Sequence, residues 1–417
     1  MSTTRRALVV ILDGLGDRPI AALGGKTPLE FARTPTLDRI AREGVTGLMD
    51  PLAPGVRVGT DVGHLALFGY NPMRVYWGRG PIEAAGVGIA LRAGDVAFRA
   101  NFATLNEAGV VVDRRAGRIR EGTEELAAAL DKMRLSDGTE VVFRAATEHR
   151  AVLVLRGERL SPLVTDSDPG PLHEGERPRP IRARVAGSSA AERTAAAATE
   201  FSIRAHHILK EHPVNRRRIE RGLPPANYVL LRGAGIKRPM RSLAERFNIQ
   251  GACIAGESTI VGIARMTGFD VVKKPTFTAN LDTDVEGKAA AAKEALNNHH
   301  LVVVHYKGTD IASHDGLVDQ KVAFIERVDR ALAPLFEAAK KDGFYIAITS
   351  DHSTPCQLRE HSADPVPVAL FGPDVLTDDV ECFGERWCMR GGLGRITANA
   401  FLLTVLDYIG ATYRFGS

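Results

Sequence analysis

Acidic and histidine side chains follow three apolar runs of this sequence. If those runs are neighbouring parallel strands, their carboxyl ends meet at one edge of a sheet, where functional groups of open α/β folds collect. Carboxylate oxygens and imidazole nitrogens together suit Mn²⁺ or Zn²⁺, with Mg²⁺ an alternative where oxygens dominate. A pair of such ions would assist a phosphoryl displacement. The six candidate ligands are Asp13, Asp310, Asp351, His314, His352 and His361.

Each of these residues also has an ordinary structural explanation. An aspartate at a strand end often caps a helix. Asp310 and His314, four positions apart, could belong to a turn, and His361 alone could be a solvated loop residue. Their joint placement after predicted strands favours a metal site over three unrelated coincidences.

Thr60 is the candidate nucleophile. It follows a turn containing glycine and directly precedes a predicted helix at residues 62–69. A hydroxyl at a helix N-terminus lies near free amides and the positive end of the helix dipole, which favour a phosphate and an alkoxide alike. The alternative is that Thr60 only caps the helix. His64, four residues on, either positions Thr60 or packs in the core.

Apolar, β-branched runs and helical periodicity predict the elements that position these residues. The helical spacing between residues 318 and 343 separates two predicted strands and completes a βαβ unit. Helices are also predicted at residues 35–43 and 396–409. The fold class is therefore α/β, with a doubly wound, mostly parallel sheet. The predicted buried parallel strands are residues 7–12, 301–304, 344–349 and 366–371.

The middle of the chain has a different pattern of predicted secondary structure, with short strand-like runs around one clear helix at residues 124–133. This pattern predicts a smaller α+β domain inserted at residues 77–180, ending in a linker rich in proline and charge. Residues 1–76 and 181–417 would form the metal-binding α/β domain.

Composition limits the classes of function. The 417 residues carry a net charge of +4 with 44% hydrophobic and 25% charged residues, which excludes a disordered or coiled-coil chain. So small a charge predicts no nucleic-acid partner. No apolar run reaches the roughly 18 residues of a membrane helix. Four scattered cysteines favour the cytoplasm. The expected partner is a small phosphorylated substrate; the oligomeric state is not predicted.

Several motifs in chain order resemble the archaeal-type, cofactor-independent phosphoglycerate mutases of the alkaline phosphatase superfamily. The resemblance runs from about Leu8 to the C-terminus and implies a sheet of alkaline-phosphatase type. The motifs include ILDGLGDRPI, GTDVGHLALFGYNP, YWGRGPIEAAGVGI, HPVNRRRIERGLPPAN, KGTDIASHDG and DHSTPCQLREHSADPVP.

The resemblance implies an isomerase of glycolysis and gluconeogenesis that interconverts 2-phosphoglycerate and 3-phosphoglycerate without bisphosphoglycerate. A phosphothreonine would form at Thr60, and the inserted domain would close over the substrate. Two divalent ions (Mn²⁺, Zn²⁺ or Mg²⁺) are implied. One would be held by Asp310, His314 and His361, and the other by Asp13, Thr60, Asp351 and His352.

One departure from the family pattern concerns the nucleophile, since Gly59-Thr60-Asp61 stands where the family usually has Gly-Ser-Asp. The extra methyl group of threonine restricts χ1 and crowds in-line attack. The alternative function is therefore a metal-dependent phosphohydrolase or phosphotransferase that acts on another small phosphate or phosphonate.

A substrate with a phosphate and a carboxylate calls for bidentate arginines. The motif DRRAGR, a His-Arg pair at a strand entry and a lysine beside the metal ligands supply candidates. The arginines at positions 216–218 are expected to be solvated instead. The candidate substrate-binding residues are Arg114, Arg115, Arg118, His149, Arg150 and Lys307.

Overall fold

The computed structural model describes residues 5–170, 173–414 and 416. The chain divides into two compact units. The first comprises Met1–Val75 and Met240–Ser417, and the second comprises Tyr76–Pro239. In the described ranges, every helix is too short or too polar to cross a membrane.

The described residues form thirteen strands, whose bounds follow in chain order. They are β1 (Ala7–Leu12), β2 (Val45–Asp50), β3 (Val96–Leu105), β4 (Val111–Asp113), β5 (Glu140–Ala145), β6 (Arg150–Arg156), β7 (Tyr228–Gly235), β8 (Gly251–Ile254), β9 (Asp270–Val272), β10 (Leu301–Tyr306), β11 (Tyr345–Thr349), β12 (Val366–Phe371) and β13 (Gly394–Thr397).

Fifteen α-helices occur in the same residues, with short 3₁₀ turns at Ala21–Leu23 and Ala116–Arg118. The helices are α1 (Pro28–Phe31), α2 (Pro35–Arg42), α3 (Thr60–Leu67), α4 (Pro72–Val75), α5 (Gly80–Gly86), α6 (Thr123–Leu130), α7 (Ser189–Lys210), α8 (Pro213–Glu220), α9 (Leu243–Phe247), α10 (Ser258–Met266), α11 (Val285–Ala295), α12 (Gly308–Asp315), α13 (Val318–Asp342), α14 (Glu385–Cys388) and α15 (Ala398–Tyr408).

The first unit is built on an eight-stranded sheet with the order β13-β2-β12-β11-β1-β10-β8-β9. Five of its seven neighbouring pairs are parallel. Strand β12 is antiparallel to both β11 and β2, so the prediction of a parallel strand at residues 366–371 is wrong. A loop without a helix joins β11 to β12, whereas a parallel return usually needs a helical crossover.

Strand β1 lies at the centre of this sheet, in parallel register with β10 on one side and β11 on the other. Leu8, Val10 and Leu12 belong to a core that α2, α11 and α13 cover. Val9 and Ile11 point to the opposite face because side chains alternate along a strand. Helices α3, α10 and α15 pack together on that face. The predicted doubly wound α/β fold is therefore confirmed.

The second unit contains a smaller antiparallel sheet in which β3 pairs with β4, β6 and β7, and β6 pairs with β5. Phe98, Phe102, Phe143 and Phe201 of α7 are fully buried in its core. The unit ends at Pro239, beyond the predicted boundary at residue 180. The reason is that α7 packs on this sheet and β7 pairs with β3, a long-range pairing that the local sequence does not reveal.

Candidate active site

The three predicted aspartates lie together at the carboxyl edge of the large sheet. Asp13 directly follows β1, Asp310 lies in the first turn of α12 just after β10, and Asp351 follows β11. All three are at most 2% exposed. Because β1 is bonded to both β10 and β11, the register of the sheet fixes how closely their loops approach.

Thr60 opens helix α3 and is buried beside these aspartates. Its N-cap is Gly59, so Thr60 is a residue of the first turn and does not cap the helix. The Thr60 hydroxyl oxygen lies 3.1 Å from the ammonium of Lys307, which donates to it, and 3.2 Å from Nε2 of His352. The hydroxyl is therefore held between a cation and an imidazole.

Lys307 links the nucleophile candidate to two of the aspartates. Its ammonium lies 2.8 Å from Asp13 Oδ1 and 2.7 Å from Asp310 Oδ2. Burial disfavours the charged form, but Asp13, Asp310 and Glu257 outweigh it and raise the pKa of Lys307. Lys307 thus stays protonated and brings one positive charge to the site.

His314 and His361 direct their Nε2 atoms at the same point. Nδ1 of His314 lies 2.8 Å from the carbonyl of Arg359, and Nδ1 of His361 lies 2.9 Å from the carbonyl of Val58. A carbonyl only accepts, so each Nδ1 carries a hydrogen, and in the neutral imidazole Nε2 then carries a lone pair. Burial and nearby His352 lower the pKa of His361 to about 4, which keeps it neutral.

An oxygen of the Asp310 carboxylate lies close to both of these Nε2 atoms. The two Nε2 atoms lie 3.2 Å apart, and Asp310 Oδ1 lies 3.4 Å from that of His314 and 3.7 Å from that of His361. Ligands about 2.1 Å from a tetrahedral ion lie about 3.4 Å from one another. When both histidines are neutral, these three acceptor atoms repel one another at this spacing unless a cation lies between them, so the set fits a metal.

His352 lies in a second group of possible ligands. Its Nε2 is 3.1 Å from Asp351 Oδ2 and 3.5 Å from Asp13 Oδ1. Burial opposes its charged form, but Asp351, Asp13 and Asp310 together raise the pKa of His352 to about 9. The three aspartates, Lys307 and a protonated His352 sum to −3 + 1 + 1 = −1, and this negative excess favours cations. The second set therefore also fits a metal.

Two further histidines contact the carboxylates of the proposed metal ligands. Sequence reasoning considered His64 and missed His305. Nε2 of His305 lies 2.8 Å from Asp13 Oδ2, which orients that carboxylate. Nδ1 of His64 lies 2.8 Å from the carbonyl of Thr60 and 3.1 Å from Asp351 Oδ2. The alternation of His305 and Lys307 at the end of β10 was a usable signal, because residues two apart in a strand share a face.

Lys321 was also missed, since it lies inside the long helix α13. It is fully buried and donates to the carbonyls of Gly14 (3.0 Å) and Thr354 (3.2 Å) and to Asp17 Oδ2 (2.9 Å). These contacts join the loop that follows β1 to the loop that follows β11. Lys321 thus fixes the spacing of the loops that carry Asp13 and the Asp351-His352 pair.

A separate cluster of cations lies on one face of the small sheet in the second unit. Arg99 of β3 is in register with Arg232 of β7, and Asn101 of β3 is in register with Arg150 of β6. Burial and the neighbouring arginines lower the pKa of both Arg99 and Arg232. We call Arg99, Arg150, Arg232 and His149 the arginine cluster.

Several buried atoms of this face lack hydrogen-bond partners among the residues that the structure describes. They are Nε of Arg99, Nε of Arg232, Oδ1 of Asn101 and Nδ1 of His149. A buried polar group without a partner is costly, and such groups are rare in native proteins. Three of the four atoms belong to cationic or titratable side chains, so the face fits an anionic ligand.

The predicted substrate residues of the second unit have different surroundings. Arg114 is buried and donates two bonds to Asp168, at 2.6 and 2.7 Å. Arg115 is exposed and Arg118 partly buried, while His149 and Arg150 belong to the arginine cluster.

Arg99 and Arg232 were not predicted, because each is a single arginine in an apolar strand. Arg218, expected to be solvated, is buried and donates to two carbonyls.

The comparisons with known proteins identify the family of this chain. A family model for 2,3-bisphosphoglycerate-independent phosphoglycerate mutase matches residues 41–215. A Methanothermobacter thermautotrophicus protein named 2,3-bisphosphoglycerate-independent phosphoglycerate mutase 1 is 44% identical over 99% of this chain and 100% of its own. The chain belongs to this mutase family.

Two solved structures are similar to this chain over nearly its whole length. A cofactor-independent phosphoglycerate mutase of Thermoplasma acidophilum is 35% identical with a TM-score of 0.67, covering 97% of this chain and 100% of its own. A Pyrococcus horikoshii protein is 36% identical with a TM-score of 0.85, covering 99% and 100%. The family predicted from the motifs is confirmed, and with it an enzyme of the isomerase class. The roles of individual residues stay predictions.

Proposed function

We propose that this enzyme interconverts 2-phosphoglycerate and 3-phosphoglycerate through a phosphothreonine at Thr60, with two divalent ions. The observation that carries the proposal is the position of the Thr60 hydroxyl, which is buried between His352 of one candidate metal set and Lys307, whose ammonium also contacts Asp310 of the other set. The family name specifies independence from 2,3-bisphosphoglycerate. The interconversion is a step of glycolysis and gluconeogenesis, for which we propose a cytoplasmic location.

The proposed metal ligands form two sets. The mixture of nitrogen and oxygen donors suits Mn²⁺ or Zn²⁺, and Mg²⁺ suits the set richer in oxygen. When bound, the ions would lower the pKa of the threonine hydroxyl and offset charge on the phosphoryl oxygens. The sets are Asp310, His314 and His361, and Asp13, Thr60, Asp351 and His352.

The chain's own residues supply the remaining requirements for phosphoryl transfer. Thr60 Oγ1 attacks phosphorus, the bond from phosphorus to one glycerate oxygen breaks, and the threonine proton passes to that oxygen. The reverse step on the other glycerate hydroxyl completes the isomerisation. Lys307 stabilises the alkoxide and the phosphoryl oxygens, because its ammonium already contacts Thr60. His305 and Lys321 keep Asp13 and its loop in position.

We propose that the arginine cluster of the second unit binds an anionic group of the substrate. Its support is the excess of cations on one sheet face and the buried donors without partners. Guanidinium groups bind carboxylates and phosphates with paired hydrogen bonds. Arg115 and Arg118 add positive charge that acts on His149. Arg114 instead anchors this region through Asp168.

The proposal is tested by ³¹P NMR of the metal-loaded enzyme with 3-phosphoglycerate and no added bisphosphoglycerate. We expect the 2-phosphoglycerate signal to rise to equilibrium with little inorganic phosphate. Release of inorganic phosphate alone would instead support the phosphohydrolase alternative. No reaction of either kind would contradict the proposed substrate and direct the search to other phosphates and phosphonates.

A further inference from the structure

The second unit contains a cavity of about 330 Å³ between the turn at Ala116–Arg118, the start of α6 and helix α8. Five arginines and two glutamates line it, which gives a net charge of +5 − 2 = +3. Arg120 also pairs with Glu148 outside the lining, and counting that carboxylate still leaves two positive charges. The lining arginines are Arg118, Arg120, Arg217, Arg218 and Arg221.

Arg218 gives the cavity a fixed cation. Its side chain is buried and donates to the carbonyls of Ala116 at 2.8 Å and Pro224 at 2.9 Å. Ala116 and Arg118 have left-handed backbones, with φ of 46° and 54°, which is uncommon outside glycine. The guanidinium therefore holds a strained turn in place. Burial and the neighbouring Arg221 lower the pKa of Arg218, a sign that positive charge is crowded here.

The cavity has further features that suit an anion. Gly122, which lines it, is the N-cap of α6, so the positive end of that helix dipole adjoins the cavity. The glutamates compete only weakly for the arginines. Glu125 lies 3.2 Å from Arg217 and Glu121 lies 4.0 Å from Arg221, and all four side chains are exposed. Exposed ion pairs of this kind contribute little and separate at small cost.

We propose that this cavity is an accessory site for a small molecule that carries a phosphoryl group. Its size is at the lower end of ligand pockets, and several guanidinium groups around one cavity suit the oxygens of a phosphate. Arg217 and Arg221 lie outside the arginine cluster, so the site is additional to the proposed substrate site. Arg118 lines the cavity and also acts on His149, which gives an occupant an electrostatic influence on that cluster.

The first test is site-resolved and uses inorganic pyrophosphate as the probe. Phenylglyoxal modifies accessible arginines, and peptide mass spectrometry measures the rate at each position. We expect pyrophosphate to slow the modification of Arg217 and Arg221 several-fold. Arg216, an exposed neighbour on the same helix outside the cavity lining, is the internal reference. Equal rates with and without pyrophosphate at all three arginines would overturn the proposal.

The second test uses variants of the full-length enzyme. Calorimetric titration with pyrophosphate should show a binding component. Its affinity should be at least tenfold lower in the double variant Arg217→Gln/Arg221→Gln. The matched control Arg216→Gln should leave that component unchanged, and the thermal unfolding of both variants verifies their folding. An unchanged titration of the folded double variant would mean that pyrophosphate binds elsewhere and would refute the site. Mutase activity without pyrophosphate should be the same in both variants.

Discussion

The candidate active site of the first unit and the arginine cluster of the second unit have opposite imbalances. In the first unit, Asp310, His314 and His361 direct three acceptor atoms at one point, and the aspartates outnumber Lys307. In the second unit, guanidinium groups outnumber nearby carboxylates, and buried nitrogens of Arg99 and Arg232 lack partners. The first region has too few cations for its acceptor atoms, and the second has too few anions for its donor atoms.

The difference shows that the charge balance of a region indicates which kind of ligand the region would bind. A surplus of lone pairs is relieved by metal ions, whereas a surplus of hydrogen-bond donors is relieved by a phosphate or carboxylate. Neither imbalance would persist in a region whose only function is stability, because unpaired buried polar groups are costly. Three predictions test the two halves of this comparison.

The largest effect is expected at Thr60. Thr60→Ala leaves the aspartates and histidines of both proposed metal sets in place but removes the proposed nucleophile. The mutase rate should therefore fall by at least about 10⁴-fold. Mn²⁺ binding, measured by calorimetry, should weaken much less, since Thr60 contributes only a neutral hydroxyl to one metal set and the aspartates and histidines of both sets remain. Mass spectrometry of acid-quenched wild-type enzyme should find a phosphoryl group on the peptide that contains Thr60.

Thr60→Ser is the matched control for this experiment. It keeps the hydroxyl and removes the methyl group that restricts χ1. The serine variant should therefore retain phosphoryl transfer, and a faster rate would show that the methyl group hinders attack. Wild-type activity in the alanine variant would eliminate Thr60 as the nucleophile.

The second prediction concerns the metal sets. His361→Ala removes one of three converging acceptor atoms and should weaken Mn²⁺ binding by about a hundredfold, as loss of a ligand costs at least as much as loss of its supporting contacts. His299→Ala is the control, because His299 bonds to Ala295 and Asp270, away from the site. Calorimetry of the metal-depleted enzyme measures both variants. Equal affinities would mean that His361 is not a ligand.

The sequence predicted the active-site edge well because strand ends are a local signal. Asp13 and Asp351 each follow an apolar run, and parallel pairing brought those runs side by side. The helix of Thr60 was also predicted, although Gly59 and not Thr60 caps it. Patterns of this kind depend on a few neighbouring residues, and so a single sequence contains them.

Within the arginine cluster, His149 and Arg150 were candidates from the sequence, but Arg99 and Arg232 could not be predicted in the same way. Arg99 and Arg232 are 133 positions apart and meet only because β3 pairs with β7. The same long-range pairing moved the boundary of the second unit from residue 180 to Pro239. Lys321 lies inside a long helix whose periodicity gives no indication of its contacts with Gly14 and Thr354. Pairing and burial at long range decided each of these features.

The smallest expected effect is the pH dependence of stability caused by His149. Burial, with Arg150 and Arg99 next in importance, lowers the pKa of His149 to about 2, against about 6.5 in the unfolded chain. The unfolded state therefore binds more protons below pH 6.5. The stability that neutral His149 provides is fully present above that pH and is lost as the pH falls.

Urea unfolding should show this loss as about 1 kcal/mol per pH unit below pH 6.5. In His149→Gln that share of the slope should disappear, and an unchanged slope would contradict the assignment. Phosphate sharpens the test, because an anion at the arginine cluster offsets the charge of Arg99 and Arg150. It should raise the pKa of His149 and so shorten the pH range over which the wild-type enzyme loses stability, while leaving that range unchanged in the variant. A pH range that phosphate does not change in the wild-type enzyme would separate the buried histidine from the proposed anion site.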